Sequence, residues 1–122
     1  MRRFLEHRRR ALRDRPHLIE EYLRRLSTAL GGRASIVVFG GRARTGLSSD
    51  EPRDLDLLIV VDDSDDPNEI EDIAHALRPR GLPTDIVVVR KRDLSTPLLR
   101  KMLSSYIVMH DPLNISKHLA TN

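Results

Sequence analysis

The chain has 122 residues and a formal net charge of +3, enough for one hydrophobic core and too short for a catalytic domain joined to a large substrate-binding domain. Cysteine is absent, which excludes disulfides, thiolate nucleophiles, iron–sulfur clusters and cysteine-based zinc sites. The aromatics are Phe4, Tyr22, Phe39 and Tyr106, too few for a nucleic-acid module built on base stacking, and no apolar run approaches the roughly 20 residues of a membrane span.

Helical periodicity opens the chain. Phe4, Leu5, Ala11 and Leu12 make a modest apolar stripe, and Leu18, Ile19, Tyr22, Leu23, Leu26, Ala29 and Leu30 make a fuller one. Asp14 and Pro16 between them suit a helix start, and Gly31-Gly32 suits a helix end. One kinked helix and two separate helices both fit residues 2–30. The basic N-terminus has no apolar stretch behind it, so it does not read as a secretory signal, and a cytoplasmic protein is expected.

The period then changes. Ser35 to Phe39 is a short β-branched run that stops at Gly40-Gly41 and predicts a buried strand. Residues 42–53 read as a loop. Asp54 to Val61 predicts a second strand. After Pro67 a helix turns Ile70, Ile73, Ala74 and Leu77 inward and closes near Pro79 and Gly81. Pro83 to Val89 predicts a third strand, Thr96-Pro97 starts another helix, and Tyr106 to Met109 predicts a short last strand. The order α-β-β-α-β-α-β, with nearly all-apolar strands, predicts an α/β (α+β) layer fold: a small mixed sheet covered by helices in one domain, 1–122. Residues 1–15 read as a basic helical extension of it.

Charge is strongly segregated. Residues 1–33 carry ten Arg against four acids, residues 50–72 eleven acids against Arg53, and residues 78–101 seven bases against two acids. Basic stretches of this kind either meet phosphates or an acidic partner, or are solvated faces with internal ion pairs.

Three acids stand at strand starts. Asp54 and Asp56 are two apart on one strand, so they share a face, and Asp85 opens the next strand on the face of Val87 and Val89. Adjacent carboxylates repel, and burying them is costly unless a cation lies between them; oxygen donors of this type suit Mg²⁺ or Mn²⁺. Solvated strand ends would look the same in sequence. Gly40-Gly41 lets backbone N–H groups approach a phosphate, with Arg42 and Arg44 as charged donors nearby, but the pair also fits an ordinary strand-ending turn. Other motifs fail. Gly41 and Gly46 have Walker A spacing, yet Leu47-Ser48 stands where Lys is required. His7, His17, His75, His110 and His118 show no metal-ligand spacing, and neither G-x-G-x-x-G nor G-x-S-x-G occurs.

Taken together, Gly40-Gly41, twelve intervening residues, Asp54-Leu55-Asp56 and Asp85 on a later strand resemble the DNA polymerase beta-like nucleotidyltransferase superfamily. The stretch from Ser35 to Val61 looks most like its small single-domain members, the minimal nucleotidyltransferases, and the resemblance covers roughly residues 18–110. It departs from many minimal members at Gly41, where they have Ser, and at Arg53, where Ser is usual and an Arg would pair with Asp54.

The resemblance implies a metal-dependent transfer of a nucleoside monophosphate from an NTP, ATP first among them, to a hydroxyl. Asp54, Asp56 and Asp85 would be the catalytic metal ligands for Mg²⁺ or Mn²⁺. Gly40, Gly41, Arg42 and Arg44 would bind the phosphates. It also implies an acceptor on a partner macromolecule, such as a small helical HEPN-type protein in a toxin–antitoxin pair, or on a second copy. A non-catalytic partner-binding module that keeps the fold, and a phosphate-contacting nucleic-acid binder built on the Arg-rich first helix, are the competing readings. No membrane partner is expected.

Overall fold

The β-branched runs become the centre of the molecule because both of their faces are covered. A computed structural model describes residues 2–46 and 54–120; the side chains of residues 2–15, Thr45 and Ala120 are outside that description. The elements are α1 (Arg2–Leu30), β1 (Ala34–Phe39), α2 (Gly40–Thr45), β2 (Leu55–Val61), α3 (Pro67–Leu77), β3 (Thr84–Arg90), a 3-10 turn (Lys91–Ser95), α4 (Pro97–Met102), β4 (Tyr106–His110) and α5 (Ser116–Ala120). The four strands form one sheet in the order β3-β2-β1-β4. β1 runs antiparallel to β2 and β4, while β2 and β3 are parallel.

Strand alternation splits the core in two. Ile36, Val38, Leu57 and Ile59 face α1 and α3, meeting Ile19, Leu26 and Ile70. Val37, Leu58 and Val60 face the other way, onto Leu94 of the 3-10 turn, Leu99 of α4, Leu103 just after it and Ile115 just before α5. The acids at 54, 56 and 85 continue this second face beyond Leu58 and Val87.

Residues 2–30 form one helix that runs through Pro16, which settles the choice between one helix and two. Proline cannot donate to the carbonyl four residues back, but the following stripe of Ile19, Tyr22, Leu23, Leu26 and Leu30 is buried and holds the helix on the sheet. The Tyr22 hydroxyl donates to the Ala74 carbonyl at 2.6 Å. Ala74 lies in the last turn of α3, where carbonyls lack helical donors, so the bond satisfies one of them and ties α1 to α3. Burial holds the Tyr22 hydroxyl protonated up to about 12, the charge of Arg78 opposing this in part. Tyr22→Phe is therefore expected to cost about 1–2 kcal/mol in denaturant unfolding, leaving a buried carbonyl unpaired without opening a cavity.

α3 starts as the sequence suggests. Pro67 occupies its first turn and the Asp66 carboxylate accepts from the Asn68 N–H at 3.0 Å. Two elements differ from the expectation. Residues 40–45, partly assigned to a loop, form α2; residues 47–53, including Arg53, lie outside the described residues. α5 was not anticipated. It is held by Asp111, which accepts from the Ile115 N–H at 2.8 Å, the Ser116 N–H at 3.1 Å and the buried Ser35 hydroxyl at 2.9 Å.

Partial burial pushes the Asp111 carboxyl up, but the bonds from Ser116, Ile115 and Ser35 outweigh it and hold the pKa below the usual value. A depressed carboxyl stabilises the fold above its unfolded pKa and loses that contribution as pH falls through the folded one. Asp111→Asn should thus lower thermal stability at neutral pH and flatten the acid limb of the stability profile below about pH 4. Melting curves across that range check it.

Candidate active site

The register places four side chains in one row across the second sheet face. Asp85 pairs with Asp56, Asp56 with Phe39, and Phe39 with Tyr106, one residue from each strand. The row lies where β1 ends and the parallel pair β2/β3 begins. The strands end there because Gly40 turns the chain out of β1 with φ +70°. A side chain at Gly40 would run into the Asp56 carboxylate, so glycine is required both for the backbone angle and for the close approach of Asp56.

Asp56 is half-buried, whereas Asp54 and Asp85 are exposed. Burial, the charge of Asp85, a hydrogen bond with Asp85 and the charge of Asp54 together raise the Asp56 pKa above its ordinary value. Asp56 and Asp85 are register partners on adjacent parallel strands, close enough to hydrogen-bond and to repel each other when both are ionised. Asp54 acts on the pair through its charge. Among the described residues no three His, Cys, Asp or Glu side chains close into a ready-made cage. The donor set is a contacting pair of hard oxygen donors with a third carboxylate at its edge. Such a set fits Mg²⁺ or Mn²⁺, which take one or two protein carboxylates and complete their shell with water and phosphate oxygens.

The predicted phosphate residues divide. Gly40 and Gly41 open α2 directly beside Asp56. Arg44 is exposed. Arg42 is completely enclosed, at 0% exposure, the most voluminous fully buried side chain described. Its side chain lies inside the domain, where solvent does not reach it. A groove of about 550 Å³ between α1 and Met109 lies on the opposite face of the sheet, away from the acids.

The match to known proteins follows the same residues. A family model for the nucleotidyltransferase domain matches residues 19–110, most of the chain and all of the acid row. The chain belongs to the nucleotidyltransferase domain family. The fold agrees. A crystal structure of a Sulfolobus solfataricus protein classed as a candidate nucleotidyltransferase superposes with a TM-score of 0.53 at 14% identity, covering 81% of this chain and 82% of that one. No curated protein matches the sequence. Nucleotidyltransferases move a nucleoside monophosphate from an NTP, and this domain has the family's mixed sheet with its helices on both faces. No described helix is long and apolar enough to cross a membrane.

The acids and glycines named from sequence lie together at one end of the sheet, and Phe39 and Tyr106, not named there, stand beside them. Their strands are far apart in sequence, and only the pairing of β1 with β4 joins them. The one available signal was the position of Phe39 immediately before Gly40.

Proposed function

We propose that this domain transfers a nucleoside monophosphate from an NTP, ATP first among them, to a hydroxyl of a partner macromolecule in a Mg²⁺- or Mn²⁺-dependent reaction. The observation that carries this reading is the contact between Asp56 and Asp85 with the backbone of Gly40 packed against Asp56.

In this reading Asp56 and Asp85 are the principal metal ligands and Asp54 completes the set. Their bound ion would supply Lewis-acid stabilisation of the triphosphate and lower the pKa of the attacking hydroxyl. Gly40 and Gly41 take the phosphate tail at the start of α2, and Arg44 adds a charged donor from solvent. Arg42, enclosed within the domain, serves the structure of α2 in this reading rather than taking a phosphate from solvent. The acceptor oxygen forms a bond to the α-phosphorus, the bond to the β-phosphate bridge breaks, pyrophosphate leaves, and the hydroxyl proton is released.

The acceptor is assigned to a partner. α1 has 29 residues, about 43 Å of helix, whereas the strands it covers have at most seven residues, about 23 Å. We read residues 1–15 as a basic extension, and the side chains of its apolar stripe, Phe4, Leu5, Ala11 and Leu12, lie outside those described. A small helical HEPN-type protein in a cytoplasmic toxin–antitoxin pair is the partner we favour, and a homo-oligomer is the alternative. The test is incubation with Mg²⁺, the product of the neighbouring gene, and ATP labelled on either the α- or the γ-phosphate. Transfer of the α-label alone supports the reading. Transfer of the γ-label, or of neither label with any of the four NTPs, contradicts it.

A further inference from the structure

Three large apolar side chains among the described residues are exposed: Leu98, Met109 and Tyr106. Met109 borders the groove beside α1 on the first face of the sheet. Tyr106 is different, because it stands on the acid face and in the acid row. It pairs with Phe39, which pairs with Asp56, and it shares its side of β4 with Val108 of the second core. Its ring is 38% exposed on the same open shelf as the exposed Asp85.

The row is asymmetric about the acids. On one side it ends at Asp85, on the edge strand β3. On the other it continues over two aromatic rings, the half-buried Phe39 and the exposed Tyr106. Tyr106 is two strands from Asp56, about 10 Å. Gly40 and Gly41 follow Phe39 at the end of β1, with Gly40 against the Asp56 carboxylate. A nucleotide with its phosphate tail at those glycines and its α-phosphate at Asp56 and Asp85 would find, among the described residues of the row, the apolar surface of Phe39 and Tyr106 for its base, on the β4 side.

We propose that Tyr106 is the nucleobase platform of this site, its ring stacking on the base of the bound NTP while Phe39 supports the ribose end. This rests on the proposed nucleotidyltransferase reading. Stacking needs a flat ring and tolerates every base, with purines favoured by their larger area. The hydroxyl is not required.

The test compares Mg²⁺-dependent binding of ATP and of inorganic tripolyphosphate to wild type, Tyr106→Ala and Tyr106→Phe by calorimetry. Stacking predicts a loss of roughly tenfold in ATP affinity for Tyr106→Ala, no change for tripolyphosphate, and near wild-type ATP affinity for Tyr106→Phe. A spectroscopic readout is independent of affinity. The chain has two tyrosines and no tryptophan, and Tyr22 is buried, so ATP should quench the Tyr106 emission of wild type and leave the remaining Tyr22 emission of Tyr106→Phe unchanged. Equal ATP affinity in wild type and Tyr106→Ala would overturn the proposal. So would an equal loss in Tyr106→Phe, which would make the contact one of the hydroxyl. If wild type binds neither ATP nor tripolyphosphate, the nucleotidyltransferase reading falls and this inference falls with it, whereas tripolyphosphate binding with an unaltered ATP response in Tyr106→Ala refutes the platform alone.

Discussion

Asp56→Asn is expected to abolish transfer while making the metal-free protein more stable. Asn keeps the shape of the carboxylate but removes the charge that Asp85 and Asp54 repel. Without metal the wild-type fold bears the cost of holding the Asp56 carboxyl partly buried and beside Asp85, and the substitution relieves it. A rise of a few degrees in Tm is the modest size appropriate to a carboxyl that water still reaches. If Asp56 holds the metal as proposed, the same change removes a ligand charge, and transfer should fall by roughly three orders of magnitude. Stability and activity moving in opposite directions marks a functional carboxylate; a merely structural one would lose both. Differential scanning calorimetry without metal and a turnover assay with metal read the two halves. A lower Tm in the variant would show that Asp56 is held by favourable contacts instead.

Gly40→Ala is expected to be the most damaging small substitution in the chain. Alanine at φ +70° is strained, and its Cβ would collide with the Asp56 carboxylate. Strain of this type costs about 1–2 kcal/mol, and the collision adds to it by displacing either the turn or Asp56. Gly81→Ala separates the two effects. Gly81 has φ +81° and no neighbouring atom within 4 Å of an added Cβ. It should lose stability through strain alone and keep nucleotide transfer. Equal loss of transfer in both variants, measured at a temperature where each is folded, would show that the approach of Gly40 to Asp56 has no catalytic role.

Much of this architecture is legible from local pattern. β1, β2 and β3 are covered on both faces, so their sequences are continuous apolar runs that no solvated segment would carry. The spacing of Asp54 and Asp56 fixes a common face whatever surrounds them. α3 announces itself through Asp66, Pro67 and the inward positions Ile70 and Ala74.

What was missed has physical causes. α2 is six residues long and begins with two glycines, poor helix formers, so its sequence resembles a turn; it is held by packing against β1, β2 and β4. α5 depends on Asp111 meeting Ser35, a residue 76 positions away. Arg42 and Arg44 look equivalent in sequence, yet α2 turns one into the domain and the other into solvent. The row from Asp85 to Tyr106 is set by strand register, which no local pattern encodes.

If Asp56 and Asp85 act together as the cation-holding pair of a nucleotide site, calorimetric titration of Mg²⁺ and ATP, separately and together, into wild type and into Asp56→Asn/Asp85→Asn will show it. ATP binding to wild type should require Mg²⁺, and a doubly substituted protein that is folded and no less thermally stable should show no Mg²⁺-dependent binding. Mg²⁺-dependent ATP binding of equal affinity in both proteins would contradict it.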